Sequence, residues 1–451
     1  MKIQSFLHKF ISSGKLSNFE ERLVGSFLWN SLGAVSSRGS LLLANILVAR
    51  IVGLTTFGEF LIVTTTILSV GVLVDLGLGL TATKYTAEYQ QVSPEKIRNL
   101  LVFLILMVVL TGLSIGSGLF FYAKEVAAYL EAPQLEHLVR IASLLPLFLA
   151  ASSIGAGVIA GLEQFKKLAS INIVMGFSNV VGMGVGASVA GVEGVLWANL
   201  ILSILNVIMV TYVLAGCIAG LGVAFQPLSL RSEFKNIFTF TLPAFLIGLT
   251  YGPATFYCSA LLVKTENGFE EMAILGASMQ WFAVVLFLPA SLAAVVLPVS
   301  SSLASSSSGR AYRGIIINAA KSSFLLSIPI VILISLLSSH IMGLYGNDFV
   351  EGAEVLVITI ISAVFVSMQM NIGNTLSAKG KVWGQLGLNI CQALIFVGLT
   401  KFWIENGAFG LALAKTVSYL FLLVGSLAYA FFITIDETGT SIKANGPKDI
   451  Q

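Results

Sequence analysis

From Leu100 to Tyr122 the chain reads LLVFLILMVVLTGLSIGSGLFFY, with no charged residue at all. A helix needs about 20 predominantly apolar residues to cross a bilayer, and lipid forces each backbone group to bond within its own segment. Twelve segments meet that length, at 26–53, 57–83, 97–122, 136–161, 168–190, 192–216, 236–263, 271–298, 311–339, 350–378, 382–404 and 407–434. Composition agrees: 56% of the residues are hydrophobic and 10% charged, where a soluble domain carries about a quarter charged residues. The expected fold is an all-α integral membrane protein of twelve transmembrane helices. The fifth and sixth segments nearly touch at Val189-Ala190-Gly191-Val192, which predicts a tight helical hairpin with close backbone contact.

Charge placement gives orientation, because Lys and Arg accumulate in cytoplasmic loops. With the N-terminus inside, seventeen of the twenty-five basic residues fall in inner segments, and only Arg50, Lys124, Lys264 and Lys401 fall outside. Both termini are then cytoplasmic in a multi-pass membrane protein. Residues 1–25 mix Lys2, Lys9 and Lys15 with Phe6, Leu7 and Phe10. That pattern suits an interfacial amphipathic segment better than a secretory leader. The net charge of +3 is too small to imply a nucleic-acid surface.

The second half echoes the first. IAGLEQFKKLASIN (159–172) resembles LSAKGKVWGQLGLN (376–389), and AGVEGVLWA (190–198) resembles NGAFGLALA (406–414), both at an offset of about 216 residues. Six crossings per half preserve orientation, so the halves form parallel repeats facing a central cavity. The expected lobes are 26–216 and 236–434, joined by a cytoplasmic linker at 217–235 and followed by a tail at 435–451.

Several chemistries are excluded. Cys217, Cys258 and Cys391 are far apart, and His8, His137 and His340 form no cluster. No metal site, cofactor site or catalytic constellation is legible. SSSLASSSSGR (300–310) lacks the Gly-Lys-Ser/Thr ending of a phosphate loop, which argues against ATP hydrolysis.

The run LLLANILVARIVGLTTFGEFLIVTTTILSVGVLVDLGLGLTATKYTAEY (41–89) carries Ala49-Arg50, Gly53, Phe57-Gly58, Asp75-Leu76-Gly77-Leu78 and Lys84. With GLEQFKKLASIN, it resembles the bacterial polysaccharide flippases, the O-antigen and teichuronic-type exporters of the multidrug/oligosaccharidyl-lipid/polysaccharide superfamily. The resemblance implies a transporter, not an enzyme. It would move an undecaprenyl-pyrophosphate-linked oligosaccharide across the inner membrane by alternating access, for surface polysaccharide such as lipopolysaccharide. Antiport with H+ or Na+ is implied too, as are polymerase or chain-length partners.

Ionisable residues within spans mark candidate sites, since a buried charge is costly without a partner. Arg38, in VSSRGSLLL, lies about 18 Å from the inner end of its helix. Its guanidinium is the leading candidate to bind phosphate or acidic sugar. The small neighbours Ser36, Ser37, Gly39 and Ser40 read as a wet cavity wall. Lys321 and Lys415 are further candidate substrate cations, with snorkelling as the competing reading. Asp75 is a candidate for ion coupling or for pairing with Arg38; capping a helix break at Gly77 is the competing reading. Arg140, near the outer end of its helix, ranks below these. Tyr251, Tyr257, Gln280 and Trp281 offer stacking and hydrogen-bonding groups. Prolines 243, 253, 289, 298 and 329 concentrate in helices seven to nine, where kinks are expected. Four intramembrane cations against one acid favour an anionic substrate over the cationic drugs of a multidrug exporter. A membrane polymerase or ligase would need a substantial outer loop, and no loop is long enough.

Overall fold

The computed structural model describes residues 18–93, 95–219, 230–304, 309–378 and 381–444. Most of the predicted N-terminal segment, the centre of the linker, part of the serine loop and the end of the tail lie outside these described residues. The first half runs α1 (Asn18–Val52), α2 (Leu54–Asp75), α3 (Leu78–Val92), α4 (Glu95–Phe121), α5 (Ala123–Tyr129), α6 (Leu135–Ala142), α7 (Leu145–Gly161) and α8 (Phe165–Ala219). The second runs α9 (Leu230–Val263), α10 (Gly268–Ala304), α11 (Gly309–Leu336), α12 (Ser338–Gly343), α13 (Ala353–Ala378), α14 (Val382–Trp403) and α15 (Gly407–Ala444). Among the described residues there is no strand.

Nine stretches of the described residues are long and apolar enough to cross a membrane. Two of them, Phe165–Ala219 and Trp383–Phe432, hold two passes each, and we count α9, a helix of 34 residues in the seventh predicted span, as one more. Twelve passes result, six per lobe. The pass formed by α2 and α3 is broken where Leu76 (φ 47°) and Gly77 (φ 72°) turn left-handed. Two successive residues of that hand cannot continue a right-handed helix.

The predicted hairpin is present. Within α8, Ala190 and Gly191 leave helical geometry, with Gly191 at φ 57°, ψ −138°. Gly186 and Gly194 then meet across the two arms so closely that a Cβ on either would strike the other's carbonyl. The turn before α15 has the same shape: Gly407 sits at φ 58°, ψ −138°. These positive φ values suit glycine, and the two turns lie 216 residues apart, the spacing of the sequence repeat.

Small residues let helices approach closely where lipid offers no hydrophobic drive. Gly33 abuts Ala169, Gly176 abuts Ser40 and the Ser36 carbonyl, and Gly184 abuts Leu47. These contacts dock α1 along the first arm of α8, and they correct part of the sequence reading. Ser36 and Ser40 are packing residues of a helix seam, and only Ser37 of that trio lines a cavity.

The lobes meet through α2. Its Gly58 lies on the Phe269 backbone and its Leu61 on Gly276 of α10; lower down, Ser69 and Val72 lie on Gly252 and Gly248 of α9. The side carrying the Gly53, Gly191 and Gly407 turns, which the charge bias predicts to be external, is pinned shut. Arg50 Nε donates to the Leu344 carbonyl at 2.6 Å and Arg50 Nη2 to the Gly343 carbonyl at 3.3 Å, across the lobes. Thr55 Oγ1 donates to Glu270 at 3.1 Å. Phe57 packs between Tyr345 and Phe349, with ring centroids 6.5 and 6.1 Å away. The Arg50, Gly53 and Phe57-Gly58 run noted in the sequence therefore builds this closure.

Candidate functional site: the interlobe cavity

Beneath the closed side lies a cavity of about 490 Å³ between the lobes, within the size range of ligand pockets. The first lobe supplies five asparagines to its wall: Asn45 from α1, Asn172 and Asn179 from the first arm of α8, and Asn199 and Asn206 from the second. The pairs 172/179 and 199/206 are each seven residues apart, two helical turns, so each pair shares one face. Asn45 Nδ2 bonds the Leu41 carbonyl of its own helix at 3.0 Å. The other four are half-buried and, among the described residues, make no hydrogen bond to protein.

The second lobe presents a different wall. Lys415 reaches the cavity from α15 while only 6% exposed. Its Nζ lies 2.9 Å from Met279 Sδ, 5.7 Å from the Tyr251 ring centre and 6.0 Å from that of Phe282. A cation over aromatic faces gains electrostatic attraction without a counter-ion. Among the described residues no carboxylate lies within ion-pair distance of Lys415, and no Asp or Glu lines the cavity. A desolvated cation facing a cavity that no Asp or Glu lines is poised for an anion.

The other sequence candidates are scattered. Arg38 is exposed one turn from Leu41 on the cavity face of α1, with its guanidinium carbon 5.7 Å from the Phe287 ring of the opposite lobe. It does not itself line the cavity. Gln280 lines the cavity, but its Oε1 accepts a bond from Tyr345 Oη at 3.1 Å. Burial pushes the Tyr345 phenol above its ordinary pKa, which keeps that donor proton in place. Tyr251 borders Lys415 and lies 3.3 Å from Tyr419 through their hydroxyls. Trp281 packs in the core beside the cavity.

Asp75 does not meet Arg38. It closes α2 at the helix break and lines a separate pocket of about 440 Å³ with Gly77, Ser153 and Gly248. One of its oxygens, Oδ1, is buried without a hydrogen-bond partner. Lys321 does not line the interlobe cavity either. It shares the exposed stripe of Leu325, Ile332 and Leu336 on α11, a face that belongs against lipid. The serines beside it are consumed internally: Asn371 Nδ2 donates to Ser323 Oγ at 2.6 Å and Ser327 Oγ to Ser367 Oγ at 3.0 Å. Arg140 pairs with Glu136 at 2.7 Å on the pinned side, and Tyr257 lies under Lys401 at 5.6 Å. Neither lines the cavity.

Sequence reasoning weighed charges and missed the asparagines. Their signal was present, as amides repeating at seven-residue spacing inside apolar spans.

Comparison with known proteins gives a consistent picture. Residues 47–354 match the model of a family described as "Polysaccharide biosynthesis protein". The EPS I polysaccharide export inner membrane protein EpsE of Ralstonia nicotianae is 22% identical over 410 residues, covering 87% of this chain and 89% of that protein. Among solved structures, an inward-facing multidrug resistance MATE transporter of the MOP superfamily superposes with a TM-score of 0.76 at 15% identity, over 92% of this chain and 99% of that one. The lipid II flippase MurJ, in an inward closed conformation, gives 0.70 at 15% identity, over 94% of each chain.

Proposed function

We propose, from the premise that this chain belongs to the polysaccharide biosynthesis protein family and has the MOP transporter fold, that it is a flippase for a lipid-linked oligosaccharide. It works in the inner membrane, with both termini in the cytoplasm. The observation that carries the reading is the cavity itself. It joins one desolvated lysine, with no carboxylate within ion-pair distance among the described residues, to a wall of neutral amides, and no Asp or Glu lines it. That suits an anionic headgroup bearing sugar; a cationic drug would meet Lys415 with no acid to offset it. Alternating access follows from the lobe contacts. The closure at Arg50, Phe57 and Gly58 seals one side, and rocking the lobes apart there would open the cavity to the other face of the membrane. Arg38 would meet the headgroup first, at the mouth, and Lys415 would hold it beneath the seal. Asp75, with its unpartnered oxygen in a separate pocket, is the candidate for coupling to H+ or Na+.

The test is complementation of a strain lacking the gene. The wild type is expected to restore surface polysaccharide, and Lys415→Gln and Arg38→Ala to lower it at least tenfold at equal membrane abundance, with Arg38→Lys partly active. Normal polysaccharide with Lys415→Gln, or rescue of drug resistance in place of polysaccharide, would overturn the reading.

A further inference from the structure

Resting on that reading, we infer that the four free asparagines of α8 form a glycan track, a wall that binds the sugar portion of the substrate separately from its charged group.

The hairpin sets the geometry. Measured from the turn at Ala190-Gly191, a rise of 1.5 Å per residue puts Asn199 about 13 Å down, Asn179 about 17 Å, Asn206 about 23 Å and Asn172 about 28 Å. Because the arms run antiparallel and both pairs line the cavity, amides from alternate arms interleave. The track is about 15 Å long with a rung roughly every 5 Å, close to the span of one pyranose ring. Each carboxamide offers two donors and an acceptor with two lone pairs, the combination that a sugar's vicinal hydroxyls can meet. All four are uncharged, so they offer a diphosphate no ion pair to compete with Lys415, and a neutral glycan can slide along them. Among the described residues their amides are not spent on protein, unlike Asn45 on Leu41 and Gln280 on Tyr345.

Lys415 follows Gly407 by eight residues, as Asn199 follows Gly191, so both sit at about the same depth. A substrate whose anionic group rests on Lys415 in the second lobe would lay its first sugars on Asn199 and Asn179 in the first. Later sugars would trail past Asn206 and Asn172 toward the mouth.

The experiment measures binding by microscale thermophoresis of the full-length protein in nanodiscs, with two probes: undecaprenyl diphosphate, and the same lipid carrying a chitobiose disaccharide. The wild type is expected to bind the glycosylated probe at least tenfold more tightly. Asn179→Leu and Asn206→Leu should each remove roughly threefold to tenfold of that preference, the worth of one neutral hydrogen bond, and leave affinity for the bare lipid unchanged. Lys415→Gln should weaken both probes alike. Asn179→Ser and Asn206→Ser, with monodispersity and thermal unfolding as folding checks, guard against variants that simply misfold. Equal affinity of the wild type for both probes would overturn the glycan track while leaving the flippase reading intact. So would asparagine variants that weaken both probes equally, since that is the mark of a structural role. Failure of the wild type to bind either probe would overturn the flippase reading, and the track would fall with it.

Discussion

Asn199 and Lys415 stand 216 residues apart, each eight residues below a glycine turn of the same backbone shape. Asn179 and Phe396, at nearly the same offset, both line the cavity as well. At corresponding depths the first lobe offers amides, and the second offers a cation with aromatic and thioether neighbours. The backbone repeat has been kept while the chemistry of its inner face has diverged, so the cavity has two unlike walls. Such a cavity can hold a substrate with two unlike ends in one orientation, which a symmetric cavity could not do.

The strongest way to break this comparison is to exchange the walls. Lys415→Asn alone should reduce transport at least tenfold, measured as surface polysaccharide. Adding Asn199→Lys restores the charge at the same depth but not the cage of Met279, Tyr251 and Phe282, and is expected not to recover activity. Recovery by the exchanged pair would show that the lobes are interchangeable and that only the sum of charge matters.

A second contrast lies between the two sides of the lobe interface, and a smaller effect sharpens it. Gly58→Val places a side chain against the Phe269 backbone, and Arg50→Ala removes two bonds to the end of α12. Overpacking of this kind costs about 1–3 kcal/mol, enough to move a two-state balance roughly fivefold to a hundredfold. Arg50 is exposed, so its loss is expected to shift the balance by no more than about fivefold. The readout is maleimide labelling from the pinned side of a Leu61→Cys reporter in a background without native cysteines. It should rise more with Gly58→Val than with Arg50→Ala. Unchanged labelling in Gly58→Val would mean the closure does not rest on that contact.

The smallest effects are expected outside both walls. Lys321→Ala and Arg140→Ala should change surface polysaccharide by less than twofold, because one side chain faces away from the cavity and the other forms an exposed ion pair, worth little on its own. A tenfold loss in Lys321→Ala would return that residue to the substrate path.

How legible each feature was depends on the physics behind it. Gly191 announced its turn because it follows an apolar span with no other break, and the echo at Gly407 fixed the repeat. Lys415 was legible as costly but not as caged, since Met279 and Phe282 come from a helix about 136 residues earlier. The serines around Arg38 were misread: a small polar residue in a membrane helix serves a wet wall or a tight seam equally well, and Gly176, far along the chain, decides between them. Lys321 looked like its companions until the exposed leucines sharing its stripe placed it.

By itself, the sequence determined the number of crossings, the hairpin and the duplication. A bilayer admits only segments of the right apolar length with their backbone bonds closed internally. Tertiary structure alone decided which polar side chain meets the cavity, a neighbouring helix or lipid. These helices are apolar on nearly every side, so periodicity marks no inward face, and each residue's role comes from what is packed beside it.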